Sequence, residues 1–164
     1  MLYLQPVSLT DGREFYDMLQ RIPPENGFLN SAYQMEYSAF PAWLEKKVNM
    51  ARGIGLEDWM VPSSTCWLMA DGVPVGMGNL RHYLTDALRE AGGHIGYAVA
   101  SDHQGKGYGK ALLRLMLEEA RRMGITEEIL VTVYPENIPS RRVAEANGGE
   151  LRRETEERVY YWFR

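Results

Sequence analysis

The 164-residue sequence predicts a mixed α/β fold, a central sheet with helices on both faces. Three observations carry this expectation. The hydrophobic period switches repeatedly between two and 3.6 residues, in the order βααβββαβαββ. Asp71-Gly72 sits between two strand-like runs as a hairpin signal. One strongly amphipathic helix, from Tyr108 to Met123, is flanked on both sides by apolar strand-like segments. No repeat, low-complexity stretch or long Pro/Gly/Ser-rich linker divides the chain, so residues 1–164 are expected to share one core as a single domain.

Leu2 to Val7 alternates like a strand. Thr10 or Asp11 can cap a helix with Phe15, Met18, Leu19 and Ile22 on one face, and Pro23-Pro24 ends it. Pro41 suits the first turn of a second helix along Leu44, Val48 and Ala51, with Gly53 closing it. Thr65–Ala70 and Val73–Leu80 form the hairpin, and 81–91 is ambiguous, a loop with one helical turn. Gly92-Gly93 releases the chain into a strand from His94 to Ala100.

In the 108–123 helix, Ala111, Leu112, Leu115, Met116 and Ala120 share one face, Glu118 and Arg122 are spaced for an ion pair, and Gly124 sits at the end. Ile129–Tyr134 reads as a buried strand. Asn137 can cap a short helix with Pro139 in its first turn, and the tail closes as a hairpin, Glu150–Arg153 with Val159–Phe163.

Composition narrows the function. A net charge of −4 argues against nucleic-acid binding, which usually needs a basic face. One cysteine, Cys66, excludes an internal disulfide and argues against a cysteine-based metal site, so no metal is expected; within a strand Cys66 reads as a small buried hydrophobe. No leader-like segment or bilayer-length apolar run stands out, so a soluble, cytoplasmic protein without a membrane partner is expected.

The chemistry is concentrated in Gln104-Gly105-Lys106-Gly107-Tyr108-Gly109-Lys110, between a strand and the best-marked helix. Glycines there let backbone N–H groups converge on one point, and the helix dipole adds positive potential, as a pyrophosphate cradle requires. A P-loop does not fit: three residues separate Gly105 from Gly109, and Ala111 follows Lys110 where a hydroxyl should stand. The dinucleotide fingerprint also fails, because Lys110 occupies the place of its third glycine.

The stretch does resemble motif A of the GNAT superfamily of N-acetyltransferases, Q/R-x-x-G-x-G/A, matched by Gln104-x-x-Gly107-x-Gly109, with Asn137-x-x-Ser140 downstream. The resemblance runs through the chain in element order and is densest from Gly96 to Gly149. It implies a GNAT-type fold: a mixed, mostly antiparallel sheet whose two central strands splay apart. It also implies acetyl-CoA as acyl donor. Val99 and its neighbours would pair with pantetheine, residues 104–110 would hold pyrophosphate, and Asn137 and Ser140 would line the pantetheine side. The family's tyrosine acid, four residues after the serine, is replaced by Ala144. Tyr134 or Ser140 could substitute, or the thiolate could leave unassisted.

The implied reaction is acetyl transfer to a primary amine by direct attack, which needs a base because an alkylamine is protonated at neutral pH. His94, heading the strand that enters the cradle, is the expected base, and Glu90 is the alternative. Phe28, Tyr33, Tyr37, Phe40, Trp43 and Trp59, with Glu36, Glu57 and Asp58, could cage an ammonium group or simply pack the helices. A non-catalytic CoA-binding regulatory module and a protein N-acetyltransferase are the rival readings. A homodimer is left open.

Overall fold

The computed structural model describes every residue from Met1 to Arg164. Its strands form two antiparallel sheets. β1 (Leu2–Pro6), β2 (Ser63–Ala70), β3 (Val73–Arg81) and β4 (Ile95–Val99) lie side by side in that order. β5 (Ile129–Val133), β6 (Glu150–Glu154) and β7 (Val159–Phe163) make the second sheet, with β7 in the middle. The helices are α1 (Arg13–Leu19), α2 (Phe40–Ala51), α3 (Asp86–Glu90), α4 (Tyr108–Arg122) and α5 (Ile138–Ala146). Helix α3 occupies the ambiguous segment, where the Thr85 side chain caps the Leu88 N–H.

Helices cover both faces of the larger sheet, as the alternating periods require. On one face α4 buries Leu112, Leu113, Met116 and Ala120 in a cluster that also takes Leu68 and Ile95 from the first sheet and Val131, Val159 and Tyr161 from the second. A single helix stripe thus fastens both sheets, and each such side chain contributes about 1.5–3 kcal/mol by leaving water. On the other face α1 and α2 bury Phe15, Met18, Phe40 and Trp43 against Trp67 and Met77. Phe40, Trp43 and Trp67 stack in series, with ring centroids 5.6 and 6.0 Å apart.

Two local expectations change. Gly12, not Asp11, precedes α1; Asp11 instead accepts hydrogen bonds from the Ser8 N–H and the Trp67 indole N–H, both at 2.8 Å. Along α4, Glu118 pairs with Arg114 at 2.9 Å, while Arg122 reaches Glu119. Asn137 caps α5 as predicted, its Oδ1 accepting from the Ser140 N–H. No helix is long and apolar enough to cross a membrane.

The sheets meet between the start of β4 and β5. Gly93 bridges Val131, the His94 N–H donates to the Leu130 carbonyl at 2.8 Å, and the Leu130 N–H donates to His94 Nδ1 at 2.9 Å. No ladder continues beyond this point, so β4 and β5 part as the splayed central strands.

Gly93 has φ +68°, and a Cβ added there would lie 2.6 Å from the Leu130 carbonyl oxygen. Gly72, at φ +82°, has open space around its missing side chain. Gly72→Ala is expected to cost only the left-handed backbone penalty of about 1–2 kcal/mol. Gly93→Ala should cost at least about 3 kcal/mol, because the backbone collision parts the sheets. Denaturant midpoints of the two variants check this, and equal losses would show that the junction tolerates displacement.

Candidate active site

Parting of β4 and β5 leaves a cleft of about 800 Å³. The β4 edge facing it follows from register. The Ala100 N–H and the His94 carbonyl bond toward β3, as the Val75 and Arg81 partners show, so the alternate residues Ile95, Tyr97 and Val99 turn their backbone groups to the open side. The Val99 carbonyl there is reached at 3.3 Å by the Gln104 side-chain amide. Across the cleft stand Val131 to Tyr134, and Asn137 and Ser140 of α5 continue that wall.

The glycine loop closes one end. Gly105 and Gly107 have φ of +78° and +80°, and a Cβ at either would meet nothing within 4 Å. Gly107 precedes α4, and the Ala111 N–H is bonded to its carbonyl at 3.2 Å; the N–H groups of Tyr108, Gly109 and Lys110 precede that first helical bond. Open space, free amides and the positive end of a fifteen-residue helix therefore coincide, which suits an anionic, phosphate-like group. Gln104, Gly105, Gly107, Tyr108, Gly109 and Lys110 all line the cleft, whereas Lys106 lies exposed outside its wall.

Two buried side-chain atoms lack a hydrogen-bond partner, Tyr97 Oη and His103 Nδ1, and both residues line this cleft. Burial pushes the Tyr97 hydroxyl up to about 12, and the nearby Ser140 side chain, short of hydrogen-bonding geometry, only partly offsets it. Tyr97 thus keeps its proton at neutral pH.

His94 also lines the cleft, but only 1% of it is exposed. Since Nδ1 accepts the Leu130 N–H, the ring proton sits on Nε2, which points to Glu127 Oε1 at 3.3 Å. An imidazole committed in this way has no lone pair left for a substrate proton. The geometry therefore argues against a base at His94 and makes it a link between the sheets. Glu90 is no better placed: it pairs with Arg153 at 2.9 Å and is not part of the cleft wall. Glu25, in the loop after α1, is the one carboxylate that lines the cleft.

Residues 28–148 match the acetyltransferase (GNAT) family model. The chain belongs to the GNAT acetyltransferase family. Curated proteins compared by sequence give no match. Among solved structures, Mycobacterium smegmatis RimJ in complex with CoA-disulfide is similar, with TM-score 0.70 and 22% identity over 98% of this chain and 80% of that one. The microcin C7 self-immunity acetyltransferase in complex with acetyl-CoA and AMP gives TM-score 0.71 at 15% identity, covering 98% and 91%. An aminoglycoside acetyltransferase in complex with coenzyme A and kanamycin gives 0.63 at 17%, covering 99% and 93%.

Of the two readings left open for the N-terminal aromatics, packing of the helices holds for most of them: Phe40 and Trp43 belong to the core stack and Tyr37 packs beside Phe40, while Glu36, Glu57 and Asp58 are exposed and do not line the cleft. Phe28 and Trp59 alone of those aromatics line it. The sequence reading missed Lys47, Asn79, Arg81 and Arg158, which come from α2, β3 and the turn before β7 and form part of the wall. Cys66 is buried in β2, and its thiol is pushed up to about 11 by that burial, which leaves it inert at neutral pH.

Burial lowers the His94 imidazole below its ordinary value despite the opposing effect of Glu127. The unfolded chain therefore takes up this proton first as the pH falls, so the stabilisation is complete above the unfolded-state value of about 6.5 and is lost below it. His82, also lowered by burial, acts with the same sign. Unfolding measured between pH 8 and 5 should show falling stability below about pH 6.5, and His94→Gln should flatten that limb. A variant with an unchanged pH slope would remove His94 from the linkage.

Proposed function

We propose that this GNAT domain, residues 1–164, transfers the acetyl group of acetyl-CoA to a primary amine by direct attack, without a covalent enzyme intermediate and without a metal. The observation that carries this reading is the open glycine loop at the head of α4, leading into a cleft with an unpaired strand edge. When bound, acetyl-CoA supplies a thioester reactive toward a neutral amine. The loop amides from Gly105 to Lys110 would hold its pyrophosphate, with Lys110 adding charge and Lys106, outside the wall, at most a distant field. The open β4 edge at Val99 and its neighbours would pair with pantetheine as an added strand would, the Val99 carbonyl exchanging its bond from Gln104, opposite Asn137 and Ser140.

The attacking amine must lose a proton, and Glu25, the one carboxylate in the cleft wall, is our choice of acceptor in place of His94. A backbone N–H on the open edge of β4 serves the developing oxyanion. Ala144 is wholly buried and offers no acid, so the thiolate departs unassisted, as its modest pKa permits. The cytoplasm, where acetyl-CoA and amines meet, is the compartment that suits this chemistry.

A thiol-release assay across an amine panel tests the activity. Sustained turnover supports an enzyme; tight CoA binding with no turnover of any amine or peptide would instead mark a regulatory CoA-binding module.

Gly107→Val places a β-branched side chain in the cradle at a left-handed φ. Calorimetry should show acetyl-CoA affinity reduced at least about tenfold, some 1.4 kcal/mol, in a folded protein. Unchanged affinity would remove the loop from the cosubstrate site.

Glu25→Gln should lower turnover by about 10²-fold with acetyl-CoA affinity unchanged, whereas His94→Gln, assayed at pH 8 where it is folded, should stay within about twofold of the parent. The reverse pattern would return the base to His94.

A further inference from the structure

Apart from Glu25, the charged side chains that line the cleft are of the wrong sign for an ammonium cage. Lys47 of α2 and Arg81 at the end of β3 are both half-buried, and neither has a carboxylate partner anywhere in the chain. Lys47 Nζ rests 5.4 Å from the centre of the Trp43 ring and makes no hydrogen bond. Arg81 is fixed by one bond, Nη1 to the Gly93 carbonyl at 2.9 Å, which leaves its other N–H groups uncommitted. Two residues before Arg81 on β3, Asn79 spends its Oδ1 on the Thr65 hydroxyl at 2.7 Å, so the amide offers the wall its Nδ2 donor. These three contributors to the wall, from α2 and β3, therefore each present side-chain donors to the cleft.

This arrangement is costly without a ligand. Desolvation lowers both Lys47 and Arg81 below their ordinary values, in a protein whose net charge is −4 and which pairs many exposed arginines with carboxylates. An unpaired cation taken out of water is unfavourable, and an anion that meets it reverses the penalty. The pyrophosphate cradle does not account for these groups, since Lys47 and Arg81 belong to α2 and β3 and the cradle to the head of α4. Glu25, the only carboxylate in the wall, is left for the amine.

We infer that the acceptor carries, beside its amine, a carboxylate or phosphate group that docks on Lys47 and Arg81 with Asn79 as a neutral donor. The substrate class is thus a small zwitterionic amine of amino-acid type, not a polyamine or an aminoglycoside. The inference rests on the acetyltransferase reading for its substrate role, while the anion site itself can be tested by binding alone.

The experiment uses the full chain saturated with CoA. The common amino acids are titrated by calorimetry, each beside its carboxamide, together with phosphoethanolamine beside ethanolamine and with spermidine as a cationic control. At least one acid is expected to bind about tenfold or more tightly than its amide. Preference for amino acids identifies a carboxylate as the natural anion, and preference for phosphoethanolamine identifies a phosphate. Lys47→Met, which breaks no hydrogen bond, should erase most of that preference while leaving CoA affinity unchanged; Arg81→Lys keeps the charge and should retain part of it. Where turnover is measurable, the same ratio should appear in kcat/KM, through the acceptor KM. Binding selectivity without turnover would sink the enzyme reading and keep the anion site. Amides and spermidine binding as well as the acids, or a Lys47→Met variant with unchanged selectivity, overturns the inference.

Discussion

Everything functional in this fold depends on a junction two residues wide. Gly93 and His94 bind the larger sheet to Leu130 and Val131 of the smaller one by backbone hydrogen bonds and one imidazole, and nothing continues the pairing beyond. A continuous ladder would have spent the β4 edge on β5 and left no cleft. Complete separation would have exposed that edge to other chains. The junction holds the strands at one end and lets them part at the other, with α4 packed across both sheets to fix the angle. His94 must be neutral to accept the Leu130 N–H, so a residue type associated with proton transfer is used here as a fixed acceptor. Its burial serves that purpose by disfavouring the charged form.

The cleft is electrostatically graded in spite of the acidic chain. Beside the amides and dipole of the α4 head, the wall carries Lys47, Arg81, Lys110 and Arg158, and only Glu25 contributes negative charge to it. Most other acids are spent elsewhere: Glu128 and Glu150 pair with Arg152, and Asp102 with Arg21. A net charge taken over the whole molecule therefore points to cationic partners, while the wall of its cleft points to anionic ones. Local desolvation decides the matter, because interactions inside a cleft are screened far less than those at the surface.

How much of this was legible in the sequence follows from the range of each interaction. Helix α4, its glycine approach and the Asn137 cap were readable, since each is decided within a few residues and the spacing carries its own physics. So was the family, from Gln104, Gly107, Gly109 and the downstream Asn137 and Ser140. The bond that ties His94 to Leu130 was not legible because the two are 36 residues apart, and no local pattern distinguishes a bridging histidine from a catalytic one. Phe40 and Trp43 gave no sign that Trp67 would take them into the core. Lys47 and Arg81 were invisible for the same reason: each is an ordinary cation in its own segment and becomes unusual only when the fold withholds a carboxylate from it.

Arg81 joins the two themes. Its backbone N–H donates to the His94 carbonyl at 2.7 Å and its Nη1 to the Gly93 carbonyl at 2.9 Å, so it clamps the residues that hold the sheets together. Its side chain also lies in the cleft wall. A change in the angle between the sheets must therefore move the guanidinium, and an anion drawn onto the guanidinium must in turn bear on the junction. An anion on the guanidinium and the splay of the strands would then be coupled through one side chain, and reciprocity requires such a coupling to run both ways. The open strand edge of β4 and the guanidinium in the cleft wall are then held by the same few bonds.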